Sequence, residues 1–210
     1  MSDTARVQRM LDEYEIFRIR RLWAYSRDHQ EWETLKTCFH PDASVVVSWY
    51  EGSALGFIEA TKQAAAKRRP EERSQHALGN FRAMVQGRRA ILEADMQVLN
   101  RDYLDGYLFD CLCYGRFYDF FERRDGEWRI ARWTCIYDKD RLDPVFPHQV
   151  PASFYNGIKL EGEDSRFAFM RFRQIKKGRN VPDGMIMGDS EGERRLKEEG
   201  AAWLAGSDNR

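Results

Sequence analysis

From Thr4 to about Asp28 the apolar positions Val7, Leu11, Tyr14, Phe17, Ala24 and Tyr25 recur at helical spacing, with no glycine or proline between them. This pattern predicts a long amphipathic helix. Trp32, Leu35 and Phe39 then fall at i, i+3 and i+7, and Pro41 predicts the end of a second, short helix near His40. SVVVSWY is β-branched and aromatic and reads as a strand, EGS as a turn, and LGFIEATKQAAAKRR as a third helix stopped by Pro70.

After Pro70 the period changes from helical to alternating. SQHALGNFRAMV, RRAILEADMQVLNR, YLFDCLCYGRFYDFFERR and EWRIARWTCIYD are separated only by QGR, LDG and RDG, which predicts an antiparallel meander. Asp125-Gly126 carries the dipeptide of a tight hairpin. Helices first and a bent antiparallel sheet afterwards give an α+β domain over residues 1–143, with helices covering one sheet face. From 144 to 210 the pattern weakens. Three prolines precede a short helix in SRFAFMRFRQIKKG, VPDGMIMGDS reads as a loop, and Ser190 with Glu193 forms a capping box for a last helix ending near Ala205. With only Leu196 and Trp203 as large apolar anchors in that helix, the extension is expected to pack on the core or on a neighbouring subunit and to close a pocket.

Charge and composition narrow the function. The 34 Lys and Arg balance 34 Asp and Glu, so there is no electrostatic footprint for a nucleic-acid partner. Charges are scattered through the first 21 residues, which leaves no secretory core and no membrane span and points to a cytoplasmic protein. Cys38, Cys111, Cys113 and Cys135 lack the spacing of a zinc or redox site and read as small core residues. No metal is expected. The 13 Phe, 9 Tyr and 6 Trp exceed what a core of this size needs, and some are expected to line a cavity.

Two residues carry candidate chemistry. Asp28 ends the first predicted helix and, at about 100° per residue, falls on the stripe of Tyr14, Phe17, Arg21 and Tyr25. It could instead cap the short helix that follows. His76 lies on an alternating strand whose face reads His76, Leu78, Asn80, Arg82, a mixed face suited to the polar floor of an apolar cavity, although a surface or satisfied core histidine would read the same way. His29, His40 and His148 sit in a turn, before a proline and among prolines. Phosphate-binding and dinucleotide glycine patterns, a nucleophile elbow and a two-His-one-carboxylate spacing are all missing, which leaves proton chemistry.

The order helix, helix ending in FHPDA, strand, helix, meander, together with ERRDGEWRIARW and YDKDRLDPV, resembles the SnoaL-like proteins of the nuclear-transport-factor-2-like superfamily over roughly residues 8–145. The resemblance implies a cone-shaped α+β fold with a deep pocket between curved sheet and long helix. It also implies small-molecule enzymes such as scytalone dehydratase, hexachlorocyclohexane dehydrochlorinase, polyketide cyclases and ketosteroid isomerase, several of which use no cofactor. In the first two, an Asp at the end of the first helix pairs with a His on the strand after the third, places taken here by Asp28 and His76; Asn80 and Arg82 extend the match to the dehydrochlorinase. The same comparison turns Val45, Val47 and Trp49, Met96, Val98 and Asn100, Cys113 and Phe117, and Ala131, Trp133, Cys135 and Tyr137 toward the pocket, with Tyr25 from the helix. The segment NRDYLDGYLFD is longer than in the dehydrochlorinase, so Arg101, Tyr103 and Tyr107 at the mouth have no counterpart.

The expected protein is therefore a cofactor-independent lyase acting by acid/base elimination on a bulky aromatic small molecule. Asp28 and His76 would be catalytic, and Tyr25, Trp49, Asn80, Asn100, Phe117, Trp133 and Tyr137 would bind substrate. The leaving group would be water, halide, or formaldehyde from a lignin-derived diarylpropane diol, and relatives suggest a homodimer or homotrimer. A non-catalytic partner like the β subunit of aromatic-ring dioxygenases, or an isomerase or cyclase, would share the fold.

Overall fold

A computed structural model describes residues 2–160 and 163–206. The long helix is present as α1 (Asp3–Asp28), capped by Ser2, whose side chain accepts from the Ala5 N–H. Two short elements follow, α2 (Trp32–Thr37) and β1 (Phe39–Val47), then the edge strand β2 (Tyr50–Ser53) and α3 (Ala54–Ala66). The second helix ends before Cys38 and His40 belongs to β1, because Phe39 pairs with Ile130 instead of continuing the helix.

The meander comprises β3 (Arg73–Gln86), β4 (Arg89–Leu104), β5 (Tyr107–Arg124) and β6 (Glu127–Pro144), each paired antiparallel with the next. Its turns at 105–106 and 125–126 are Asp-Gly pairs with φ of 48° and 89°, and 52° and 85°, the left-handed conformations that match the twist of tight hairpins. The sheet is mixed: β1 lies parallel to β6, giving the order β2-β1-β6-β5-β4-β3, and the two-residue β7 (Ile186–Met187) also pairs parallel with β6. Neither parallel pairing was expected from the strand order. At Gly115, beside a bulge in β5, a Cβ would come 2.1 Å from the Ile136 carbonyl oxygen, so a side chain is excluded there.

The sheet curls around a core shared with α1, α2 and α3, built on Trp23, Leu35, Phe57, Phe117 and Trp133. The helix buries Ile16, Ile19, Arg20, Trp23 and Ala24, while Tyr14 and Tyr25 are exposed. The inward stripe of α1 is thus rotated by one to two residues from the expected one. After Pro144, short 3-10 turns lead to α4 (Ala168–Lys176), which closes the concave side against β5 and β6. The last helix, α5 (Glu191–Ala205), covers the opposite sheet face, packing Leu196 on Ile91, Tyr118, Phe120 and Ile136. Ser190 caps it by accepting the Glu193 N–H at 3.2 Å, while Glu193 reaches back to the Asp189 N–H at 2.7 Å, one residue earlier than a standard box. The extension expected over 144–210 therefore clasps both faces of the sheet, apart from 161–162 and 207–210, which lie outside the described residues. No helix is long and apolar enough to cross a membrane among the described residues.

Candidate active site

Asp28 and His76 meet. The last turn of α1 delivers Asp28 to β3, where His76 Nδ1 lies 2.8 Å from Asp28 Oδ1 and the His76 backbone N–H donates to Asp28 Oδ2 at 2.6 Å. Both carboxylate oxygens are engaged by one residue, which fixes the imidazole. Asp28 does not cap α2; the N-cap position there is Glu31, with no side-chain cap. An ionised carboxylate can only accept, so Nδ1 carries the hydrogen and Nε2 keeps its lone pair. Trp23 meets the imidazole edge-on at a centroid distance of 5.1 Å, and Phe117 lies at 6.2 Å.

His76 lines a cavity of about 340 Å³, and Nε2 is the ring nitrogen that Asp28 leaves free. One end is aromatic and apolar: Trp23, Phe57, Phe117 and Trp133 contact one another at near-perpendicular or stacked geometry, and Trp49, Met96, Val98, Cys113 and Cys135 continue the wall. Behind it, the buried Arg20 guanidinium lies over the Trp23, Phe117 and Trp133 rings and pairs with buried Asp119. Tyr137 lines the cavity with its hydroxyl accepting the Ser48 N–H at 2.8 Å and hydrogen-bonded to the Cys135 sulfur. The other end is polar, formed by Ser74, Asn100, Asp102, Arg27, Arg173 and Lys177.

Burial pushes the His76 pKa below that of a free imidazole, Arg27 adds to the depression, and the Asp28 contacts oppose it. The imidazole is neutral at pH 7. Burial acts to raise the Asp28 pKa, but the hydrogen bonds and charge of His76, with Arg27 at 3.2 Å, hold it below the usual carboxylate range. The result is a base with an unprotonated Nε2 and an anion behind it, the arrangement that accepts a proton and stabilises the imidazolium formed. Desolvation lifts the Cys135 thiol to about 12 and the Cys113 thiol well above its ordinary value, so neither is a thiolate nucleophile. Among the described residues no group of three His, Cys, Asp or Glu could hold a metal ion.

Of the other expected site residues, Trp49, Asn100, Phe117, Trp133 and Tyr137 line the cavity. Tyr25 and Asn80 do not. Tyr25 is exposed on the outer side of α1, stacked on His29. Asn80 is exposed and donates to Asp95 at 2.8 Å. The cause is a register shift between Leu78 and Phe81 that reverses the alternation, so Phe81 turns inward against Phe17 at 5.2 Å while Asn80 and Arg82 turn out. Val45 is buried in the core outside the cavity, and neither it nor Ala131 lines the wall. Nor do Arg101, Tyr103 and Tyr107: Arg101 pairs with Asp110 on the surface, and Tyr107 packs on Phe154. The polar end was missed. Ser74 and Asp102 were open to reading, two residues from His76 and Asn100 on the same strand faces, but Arg173, Gln174, Lys177 and Arg179 come from a segment with little period to place it.

Comparison with known proteins supports this architecture. The SnoaL-like domain family matches residues 8–134. Pea pathogenicity protein 2 of Fusarium vanettenii is 31% identical over 130 residues, 61% of this chain and 55% of that protein. The chain thus spans little more than half the length of that curated relative. Among solved structures, a scytalone dehydratase candidate from Novosphingobium aromaticivorans superposes with a TM-score of 0.53 at 15% identity, over 63% of this chain and 88% of that one. A Mycobacterium tuberculosis protein of unknown function superposes at 0.55 with 16% identity, over 90% and 99%. At these identities the two structures speak for the fold.

Proposed function

The chain belongs to the SnoaL-like domain family, with its α+β cone, and from that premise we propose that it is an enzyme performing cofactor-independent proton transfer and elimination on an aromatic small molecule. The observation that carries the proposal is the Asp28–His76 pair, with His76 lining an aromatic-walled cavity. A cavity of about 340 Å³ holds a compound of one or two rings, and flat substrates suit the edge-to-face walls of Trp23, Phe117 and Trp133.

In a dehydration, Nε2 takes the proton from the carbon beside the one bearing the hydroxyl. The C–H electron pair becomes the new C=C bond, the C–O bond breaks, and the imidazolium, held by Asp28, returns its proton to the departing hydroxyl as water. On this reading the Asn100 amide, which has no partner among the described residues, donates to an oxygen atom of the substrate. In the variant that releases formaldehyde from a diarylpropane diol, Nε2 takes the terminal hydroxyl proton. The C–C bond then breaks to expel formaldehyde, its electrons form the C=C bond, and the benzylic C–O bond breaks as the imidazolium returns its proton to the departing hydroxyl, which leaves as water. Both schemes balance without an oxidant or reductant. On this reading residues 1–143 form the catalytic domain, and the 144–210 extension lends α4 and Arg179 to its wall.

Mass spectrometry tests the proposal. The protein is incubated with hydroxylated one- and two-ring aromatics without added cofactor, and loss of water or formaldehyde is scored beside His76→Ala. Turnover reduced about 10²- to 10⁴-fold in the variant supports it, since general acid–base groups contribute that much. Turnover that survives within about tenfold removes His76 from the chemistry.

A further inference from the structure

We propose that the substrate is an aromatic carboxylate, its carboxylate held at the polar end of the cavity by Arg68, Arg179 and the Asn100 amide while its ring lies against Trp49 and Trp133. This rests on the reading of the cavity as the substrate site and adds the charge class of the substrate.

The cavity concentrates positive charge. Arg27, Lys67, Arg68, Arg173, Lys177 and Arg179 line the cavity, six cations, against Glu72 and Asp102 in its wall and Asp28 behind His76, three anions. A chain of zero net charge thus concentrates a surplus of three positive charges in one cavity. The carboxylates are already committed. Asp102 is paired to Arg173 at 2.5 Å and to Lys177 at 3.1 Å, Glu72 to Lys177 at 2.7 Å, and Asp28 to Arg27 at 3.2 Å. Among the described residues no carboxylate reaches ion-pair distance of Arg68 or Arg179. Arg179 is instead fixed by Gln174 Oε1 at 3.0 Å and laid over the Trp49 ring at 4.7 Å. Its guanidinium is therefore held in place with donors to spare.

The cluster is unfavourable as it stands. Desolvation and the neighbouring Arg173, Arg27 and Arg68 pull the Arg179 pKa down to about 10, and desolvation with repulsion from Arg68 and Arg173 brings Arg27 to about 10 as well. Helix C-termini attract cations, and Arg27 and Arg173 sit in the last turns of α1 and α4, but that attraction is served equally by side chains turned to solvent. An anion in the cavity relieves the repulsion.

Neutral donors in the same wall also lack acceptors. Asn100 is 5% exposed, and its Nδ2 has no hydrogen-bond partner among the described residues. Trp133 Nε1 is likewise unsatisfied, with only the weakly accepting Cys135 sulfur beside it. Both line the cavity, and both are donors without a strong acceptor. Buried polar groups are nearly always paired, so this pattern indicates a ligand that brings acceptor oxygens. Asn100 lies opposite Ser74 on β3, which places its amide at the cationic end, two residues along the strand from His76.

Calorimetric titration of the whole chain with 2-naphthoate and with its neutral isostere 2-naphthamide tests the assignment. At low salt the carboxylate is expected to bind roughly tenfold tighter or more, as charge-assisted hydrogen bonds predict. The preference should shrink in 0.5 M salt and fall toward unity in Arg68→Met/Arg179→Gln. The salt arm uses the unaltered protein, so the test stands even if the variant folds poorly. Equal affinity, no binding of either probe at millimolar concentration, or a preference that survives the double substitution overturns the inference. So does 2-naphthyl phosphate binding in preference to the carboxylate. His76→Ala separates the two proposals. If it abolishes turnover of neutral aromatics while 2-naphthoate shows no preference, only the charge assignment fails. An intact preference beside undiminished turnover in His76→Ala defeats only the proton chemistry.

Discussion

Asp28→Asn is the most informative single change, because its consequences follow from two hydrogen bonds. In the native pair both carboxylate oxygens accept, from His76 Nδ1 at 2.8 Å and from the His76 backbone N–H at 2.6 Å. An amide has one acceptor oxygen, so whichever way the new side chain is turned its NH₂ opposes one of those donors. Leaving a buried donor without an acceptor costs about 1–3 kcal/mol, and that loss should appear as a lower urea midpoint with an unchanged m-value. The second consequence is on the imidazole. Asp28 is the partner that raises a His76 pKa otherwise depressed by burial and Arg27. Exchanging a charge-assisted bond of about 1.5–3 kcal/mol for a neutral one of about 1 kcal/mol should lower that pKa further. Long-range ¹H–¹⁵N spectra of the histidine side chains read both the tautomer and the titration. The native protein should show Nδ1-protonated His76 titrating below 6.5, and Asp28→Asn should show it titrating lower still, with mixed tautomers. A native His76 titrating above 6.5, or one unmoved by Asp28→Asn, would refute the reasoning.

Other consequences are open to the same treatment. Asp119→Ala leaves the fully buried Arg20 guanidinium without its anion and should cost about 3–5 kcal/mol in urea unfolding, whereas Arg20→Met with Asp119→Leu should cost much less. Gly115→Ala would place a Cβ 2.1 Å from the Ile136 carbonyl oxygen and should give a protein that is insoluble or destabilised by more than about 2 kcal/mol, visible in thermal melts. Burial raises Asp140 to about 6, so between the unfolded value of 3.8 and that pKa the folded state retains a proton that the unfolded chain gives up. With allowance for solvent screening, stability should therefore fall by about 2 kcal/mol as pH rises through this window, and Asp140→Asn should flatten the fall. His76 works in the opposite sense. Its depressed pKa means that below pH 6.5 the unfolded chain binds the proton first, so stability falls as pH drops, and His76→Gln should remove that component.

How much of this could be read along the chain depended on the range of the interactions involved. The meander was legible because each hairpin is local: Asp105-Gly106 and Asp125-Gly126 adopt the left-handed turn their composition requires. Asp28 was placed correctly at a helix end, yet through a stripe that the structure rotates, since Tyr14 and Tyr25 are exposed and Arg20 is buried against Asp119. An arginine inside a core is paid for by a partner 99 residues away, which no periodicity reports. The Asn80 expectation failed because one bulge between Leu78 and Phe81 inverts every later side chain on β3. The cationic wall was invisible for a different reason. Its parts come from the ends of α1, α3 and α4 and from Arg179, and an overall charge of zero conceals their convergence.

The central claim is that His76 acts as a neutral base positioned by Asp28, and the pH dependence of kcat/KM on the first substrate found tests it most directly. The account predicts one ascending limb with its midpoint below 6.5 and a plateau through pH 7–8. His76→Ala should lose that limb together with about 10²- to 10⁴-fold of the rate. A midpoint above pH 6.5, or the same limb persisting in His76→Ala, would contradict it.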